Sequence, residues 1–344
     1  MRGSNLAALG SFLSTSSGAW AILTDPMAIY LTENDVDRLL GMDACIEAVE
    51  RAFVEAAAGR AVFRPRARVA LPQAMLHVLP AGSEKLGRFA VKCYATSRSG
   101  ARFVVLLFDA TTSDLLATIE ADRLGQRRTG AASAVATRRL AHREAGILAI
   151  LGTGWQARSQ VEAIARVRKL REIRAWGRDR GRLIDFCGEV AKATSVAVQP
   201  APSAEAAVRG ADIVTTATSA AVPILKGAWL SPGMHVNAVG SNRSDRREID
   251  DEAVARADVI VADSVEQARH EAGDLLLAVP PEGALQPVAR AIELSAVVAG
   301  RHPGRTDDRA ITLFKSLGIG LEDLAAASLV FDRAVAAGAG RSWP

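Results

Sequence analysis

The sequence predicts an α/β protein with a Rossmann-type doubly wound parallel sheet in its second half and an α+β domain formed by both chain ends. Three observations predict it. The apolar run Ile147-Leu148-Ala149-Ile150-Leu151 suits a parallel strand buried on both faces, and Gly152-Thr153-Gly154-Trp155-Gln156-Ala157 and a helical stretch follow it. After Gly146, strands and helices alternate as a doubly wound sheet requires. Between Phe63 and Asp109 the pattern is of strands punctuated by proline and glycine, which reads as a mostly antiparallel sheet.

Residues 1–26 read as an N-terminal extension, expected to be disordered. Arg2, a mildly apolar stretch and Ala19-Trp20-Ala21 faintly resemble a signal peptide, but serines and glycines interrupt it; an upstream start codon ahead of Met27 is the other reading. From Leu31 the pattern is helical. Thr32-Glu33-Asn34-Asp35 offers caps, and Val36, Leu39, Leu40, Cys45, Ile46, Val49, Phe53 and Val54 recur at helical spacing, giving two short helices up to Gly59. Strands are then expected at 68–71, 75–79, 89–94, 103–108 and 115–119, and an alanine-rich helix over Arg128 to Leu140 leads into the second domain.

In the second domain six strands are expected: 146–151, 173–176, 195–198, 213–216, 235–239 and 259–261. Helices fill the gaps at 157–168, 184–193, 203–209 and 250–256. From Ile311 an apolar strand and a helix, Leu321 to Ala337, return to the first domain. The division is thus 27–144 with 309–344 for one domain and 145–308 for the dinucleotide-binding one.

Composition narrows the function classes. The 344 residues carry 42 basic and 38 acidic side chains, mixed along the chain, so no polybasic arm for nucleic acid exists. Two tyrosines and nine phenylalanines make no stacking platform for single strands. No apolar run reaches the length of a membrane span. Cys45, Cys93 and Cys187 are odd in number and far apart, which fits a reducing, cytoplasmic setting. His77, His142, His235, His270 and His302 show no ligand spacing, and no metal is expected.

The chemistry starts at the glycine turn. Gly152 and Gly154 let the backbone N–H groups approach a pyrophosphate at a helix N-terminus, so Gly152 to Ala157 read as a dinucleotide site. At the end of the second strand an NAD site expects an acidic residue, but this chain has Gly177-Arg178-Asp179-Arg180. Gly177 removes the carboxylate that would repel a 2′-phosphate, and Arg178 and Arg180 can bond to one, which favours NADP(H) over NAD(H). The other reading is that Asp179 turns inward and the arginines are simply solvated. Thr215 to Ser219, including Thr216, Ala217 and Thr218, and Asn237 to Asn242, including Val239, end the fourth and fifth strands where open α/β sheets bind ligands. Small hydroxyl residues at such places also serve as loop caps.

Arg68, Lys92 and Arg128 lie in or beside apolar segments of the first domain. Lys92, within Phe89-Ala90-Val91-Lys92-Cys93-Tyr94, has two readings: a buried ammonium that needs an anionic partner or ligand, or a solvent-facing side chain by alternation. Arg128 begins the helix leading to the glycine turn and could approach a cofactor; Arg127 is the solvent-facing comparison.

The strings Arg128-Thr129-Gly130-Ala131-Ala132-Ser133, Gly152 to Ala157, Asn237-Ala238-Val239-Gly240, Arg247-Glu248-Ile249-Asp250, Glu271-Ala272-Gly273-Asp274-Leu275 and Ile311 to Gly318 occur in this order. Together they make the chain resemble the ornithine cyclodeaminase/mu-crystallin family from about Met27 onward. The resemblance implies a homodimer whose substrate domain also mediates dimerisation, and an enzyme acting at the α-carbon of amino acids or their imines. It implies that Arg68, Lys92 and Arg128 bind the substrate carboxylate, and that Ser316 contacts the nicotinamide side. Cyclodeaminases of the family carry an aspartate after the Asn-Ala-Val-Gly string; here Asn242 stands there. Asparagine does not titrate near neutral pH and cannot act as a general base.

These observations lead to an NADP(H)-dependent oxidoreductase acting on a small α-imino or amino acid, a ketimine reductase or amino-acid dehydrogenase. Lys92 and Asn242 are its candidate catalytic residues. The alternatives are a cyclodeaminase-type lyase that recycles bound NAD, and a mu-crystallin-like protein that binds cofactor and ligand without catalysis.

Overall fold

The computed structural model describes residues 28–342, so the extension at 1–26 lies outside the described residues. The first domain opens with β1 (Ile29–Leu31), α1 (Glu33–Leu39) and α2 (Met42–Ala57). Thr32 and Asp35 close a reciprocal capping box at the start of α1. The helical spacing seen in the sequence buries Cys45, Ile46, Val49 and Phe53 of α2. Then come β2 (Ala61–Phe63), β3 (Ala67–Leu71), β4 (Ala74–Ser83), β5 (Arg88–Ser97), β6 (Gly100–Asp109) and β7 (Leu115–Glu120). Their sheet runs β1-β7-β6-β5-β4-β2, with β3 beside β4; only the β1–β7 pair is parallel.

Helix α3 (Asp122–Leu140) joins the domains. It starts six residues before Arg128, which therefore lies in its second turn rather than at its beginning; the polar opening Asp122-Arg123 hid that turn from the hydrophobic pattern. The parallel sheet follows, with β8 (Ile147–Leu151), α4 (Trp155–Val167), β9 (Glu172–Trp176), α5 (Arg180–Thr194), β10 (Val198–Pro200), α6 (Ala204–Val208), β11 (Ile213–Thr216) and β12 (His235–Ala238). Next are α7 (Asp251–Ala255), β13 (Val259–Ala262), α8 (Val265–Glu271), α9 (Gly273–Leu276), β14 (Ile292–Glu293), α10 (Leu294–Val298), β15 (Thr312–Lys315), α11 (Gly320–Ala337) and β16 (Arg341–Ser342), the last pairing with β1.

The strand order of the parallel sheet is β10-β9-β8-β11-β12-β15-β13-β14. Three sequence expectations need correction. The strand expected at 195–198 begins only at Val198, because Ser195 takes the left-handed conformation (φ 57°) that ends α5. Two strands extend the expected six, and β14 is too short to leave a pattern. The strand after Ile311 does not return to the first domain. As β15 it is inserted between β12 and β13, where it is buried on both faces: Leu313 enters one core of the sheet and Phe314 the core shared with α2 and α3. The segment expected whole in the first domain is therefore divided: β15 joins the parallel sheet, while α11 and β16 belong to the first domain.

The domains meet closely at α3 and α4. A Cβ on Gly130 of α3 would stand 2.8 Å from the backbone carbonyl carbon of Ser159, so glycine lets the helices touch there.

Candidate active site

A cleft of about 1850 Å³ opens between the carboxyl edge of the parallel sheet and one face of the antiparallel sheet. Gly154, Trp155, Gln156, Ala217, Thr218, Val239 and Ser316 line its first side. Gly152 has φ 116°, and a Cβ there would press on the carbonyl of Ala217, so the chain passes from β8 to α4 only with glycine at this point. Gly154 caps α4 with no side-chain bond, and a Cβ on it would meet nothing within 4 Å. The N-terminus of α4 is therefore uncapped by side chains and uncrowded at Gly154, where it lines the cleft, which suits a pyrophosphate. Gly152, Thr153 and Ala157 shape this turn without lining the cleft, Ala157 being buried against the sheet.

Gly177 has a steric role besides the one expected of it: a Cβ would come 2.8 Å from Thr153 Cγ2. Arg178 and Arg180 are exposed outside the cleft. Asp179 does not turn inward; its carboxylate accepts from the Arg182 N–H at 3.0 Å and caps α5.

Behind this side runs a buried polar chain that sequence reasoning missed. Glu248 accepts from Thr218 N and Oγ1 with one oxygen (2.7 and 2.6 Å) and from Thr216 Oγ1 and Gly240 N with the other (both 2.7 Å). The Glu248 N–H donates to Asp274 Oδ1 at 2.6 Å, and Lys315 Nζ donates to Ser241 O at 2.6 Å. Thr216 is thereby wholly buried and supports the edge rather than lining it. Asp263 accepts from Leu317 N at 2.6 Å and Gly318 N at 2.8 Å, which fixes the loop carrying Ser316. Sequence strings quoted only as a resemblance are thus the braces of the two ligand loops; isolated acids and a lysine in apolar runs were their one visible signal.

On the other side Arg66, Arg68, Lys92 and Arg128 converge. Arg66, which sequence reading passed over, is bonded to Glu271 Oε1 (2.5 Å) and to the carbonyls of Leu317 and Gly318. Arg68 reaches Glu271 Oε2 at 2.5 Å and donates to the Asn242 carbonyl at 2.9 Å, while Asn242 lines the cleft. Lys92 is buried on the cleft face of β5, not in solvent, and its Nζ lies 2.9 Å from Asp323 Oδ1. Arg128 bonds the same oxygen through Nε at 2.9 Å and Glu322 through Nη1 at 2.7 Å. Glycine makes room for both cations: a Cβ on Gly125 would sit 2.8 Å from Lys92 Nζ, and one on Gly318 would meet the Arg128 guanidinium.

Burial pushes the Lys92 ammonium down to about 8, although Asp323 opposes the shift. Burial also works against the Arg128 charge, but Asp323 and Glu322 overcome it and hold the guanidinium above its ordinary value. Burial lifts the Glu322 carboxyl to about 8. Four cations thus face three carboxylates, one of them inclined to stay protonated, and the surplus positive charge suits an anionic ligand. Arg127 lies beside Arg128 in sequence but points away, to Asp37.

A model of the ornithine cyclodeaminase/mu-crystallin family matches residues 27–338. A Rhizobium meliloti protein named as a dehydrogenase is 42% identical over 63% of this chain and 65% of its own length. The ketimine reductase mu-crystallin of Macropus fuliginosus is 35% identical, the match covering 88% of this chain and 96% of that protein. Among solved structures, the Δ1-pyrroline-2-carboxylate reductase of Thermococcus litoralis, in complex with NADH and L-proline, superposes with a TM-score of 0.87 at 33% identity. That match covers 92% of this chain and all of the other.

Proposed function

This chain belongs to the ornithine cyclodeaminase/mu-crystallin family and is a nicotinamide-dependent enzyme, and from that premise we propose that it is an NADP(H)-dependent reductase of α-imino acids, able to run in reverse on amino acids. The observation that carries this reading is Lys92: a buried ammonium with a pKa of about 8, set among arginines at the inner end of a dinucleotide cleft.

The open N-terminus of α4, with Gly154 and Gln156, would hold the pyrophosphate, and Val239, Thr218 and Ser316 the nicotinamide end. Arg178 and Arg180 would bind a 2′-phosphate, and the commitment of Asp179 to its cap leaves no carboxylate turned against one. When bound, the nicotinamide supplies a hydride to the α-carbon. Arg68 and Arg128 grip the substrate carboxylate, the guanidinium fork of each matching its two oxygens. Lys92 gives its proton to the imine nitrogen as the C=N bond is reduced to an amine, and Asp323 keeps the ammonium in place. Asn242 orients that nitrogen or a water by hydrogen bonds, a task that needs no titration. Members of this family in the cyclodeaminase class must also move protons around a departing ammonia, and Asn242 is poorly suited to that.

The test is titration of the protein with NADPH and NADH by fluorescence, followed by a panel of imino and amino acids under each. Stoichiometric NADPH oxidation with a cyclic α-imino acid is the expected result. Conversion of ornithine to proline and ammonia without added cofactor would establish the lyase instead, and cofactor binding with no turnover across the panel would establish a ligand-binding protein.

A further inference from the structure

One face of the antiparallel sheet carries three aromatic rings that the reduction chemistry does not use. In register across β3, β4, β5 and β6, Arg68 pairs with His77, His77 with Tyr94, and Tyr94 with Phe103, so the four side chains form one row on the cleft side. The His77 and Tyr94 rings stack with centroids 4.2 Å apart and planes 5° from parallel, and Tyr94 meets Phe103 at 4.7 Å and 32°. Side chains stand upright on a sheet, and rings that touch face to face across strands turn their edges outward. The row therefore presents ring edges to the cleft.

His77 is 7% exposed, and its Nε2 lies 3.1 Å from Thr96 Oγ1, while its Nδ1 is buried with no partner. Burial and the nearby Arg68, Arg66 and Arg243 hold its pKa down at about 4, so the ring is uncharged at neutral pH and stacks as a neutral aromatic. The row begins at Arg68, one of the carboxylate-gripping residues, and ends at Phe103, whose ring centre is 5.4 Å from Lys92 Nζ. A substrate anchored by its carboxylate has this row alongside its remaining atoms.

Resting on the reductase reading, we propose that the His77–Tyr94–Phe103 row is the wall that reads the substrate's side chain, and that it selects α-imino acids bearing a flat ring over those bearing a methyl group. The electropositive edges of three rings meet the electron-rich face of a ligand ring laid across them, the edge-to-face geometry that aromatic groups favour.

Two α-oxo acids, phenylpyruvate and pyruvate, share the carboxylate and planar α-carbon of such imines, and their affinities for the full chain can be measured by calorimetry without any turnover. Phenylpyruvate is expected to bind at least about tenfold more tightly, the scale of burying one ring. Tyr94→Ala should reduce that ratio to roughly threefold or less, since edge contacts and burial are both lost. Phe89→Ala, exposed on the opposite face of the same strand, should leave it unchanged. A ratio near one in the natural protein, or a ratio untouched by Tyr94→Ala in a protein with native circular dichroism, overturns the proposal. Should Tyr94→Ala not fold, Tyr94→Leu makes the same comparison. Failure of the reductase reading shows separately, as absence of NADPH oxidation with the methylamine imines of both acids while the binding ratio stands.

Discussion

Lys315 Nζ lies 2.7 Å from Asp274 Oδ2, and neither side chain reaches solvent. The pair ties the last strand of the parallel sheet to the segment bracing Glu248, so both ligand loops at the carboxyl edge depend on it. Lys315→Met removes one partner and leaves Asp274 as an uncompensated buried charge. A loss of about 3–5 kcal/mol in unfolding free energy is expected, measured by urea denaturation. A loss below about 1 kcal/mol would mean that the pair is no brace.

Arg128 touches the anionic cluster of α11 and not the dinucleotide side. Arg128→Ala should therefore lower kcat/KM for a carboxylated substrate by about a hundredfold or more, the scale of a lost charged bond, while the NADPH dissociation constant moves by less than about threefold. Equal losses in substrate turnover and cofactor affinity would remove Arg128 from the carboxylate site.

With Lys92 as proton donor, the protonated form is the active one in the reductive direction. Its pKa of about 8 places the fall of kcat/KM above pH 8, with full activity below. Asp323 favours the ammonium, so Asp323→Asn should move that break to lower pH; a pH profile of the two proteins decides it. A break that stays where it was would assign the titration to another group.

In the proposed reading, Arg178 and Arg180 meet the cofactor only through a 2′-phosphate. Replacing both by alanine should weaken NADPH binding by about ten- to a hundredfold and leave NADH affinity as it was. If both cofactors weaken alike, the arginines bind something common to the two.

The parts of this molecule that could be read from its sequence are those fixed by local pattern. The spacing of Val49 and Phe53 revealed α2, the run from Ile147 to Leu151 revealed β8, and the glycines that follow it revealed the turn. What escaped depends on distant partners. Thr312 to Lys315 reads as an apolar strand in any sheet, and only its place between β12 and β13 explains why both of its faces are buried. Arg66 stands among Arg64, Pro65 and Arg68, and nothing in that string distinguishes the arginine that meets Glu271 from its neighbours. Glu322 and Asp323 open an apolar helix, where acids are ordinary complements to the helix dipole. Their pairing with Arg128 and Lys92 spans about two hundred residues of chain, and no window of the sequence contains it. The row from Arg68 to Phe103 is likewise a matter of strand register.

The insertion of β15 has a thermodynamic consequence. Five residues after Lys315, held in the dinucleotide sheet, the same stretch of chain enters the helix whose first turn grips Lys92 and Arg128. Ser316, Leu317 and Gly318 lie between, pinned by Asp263 on one side and by Arg66 on the other. Ordering this short connector from either end orders it for both. Cofactor and substrate should each bind more tightly in the presence of the other, and linkage requires the two enhancements to be equal.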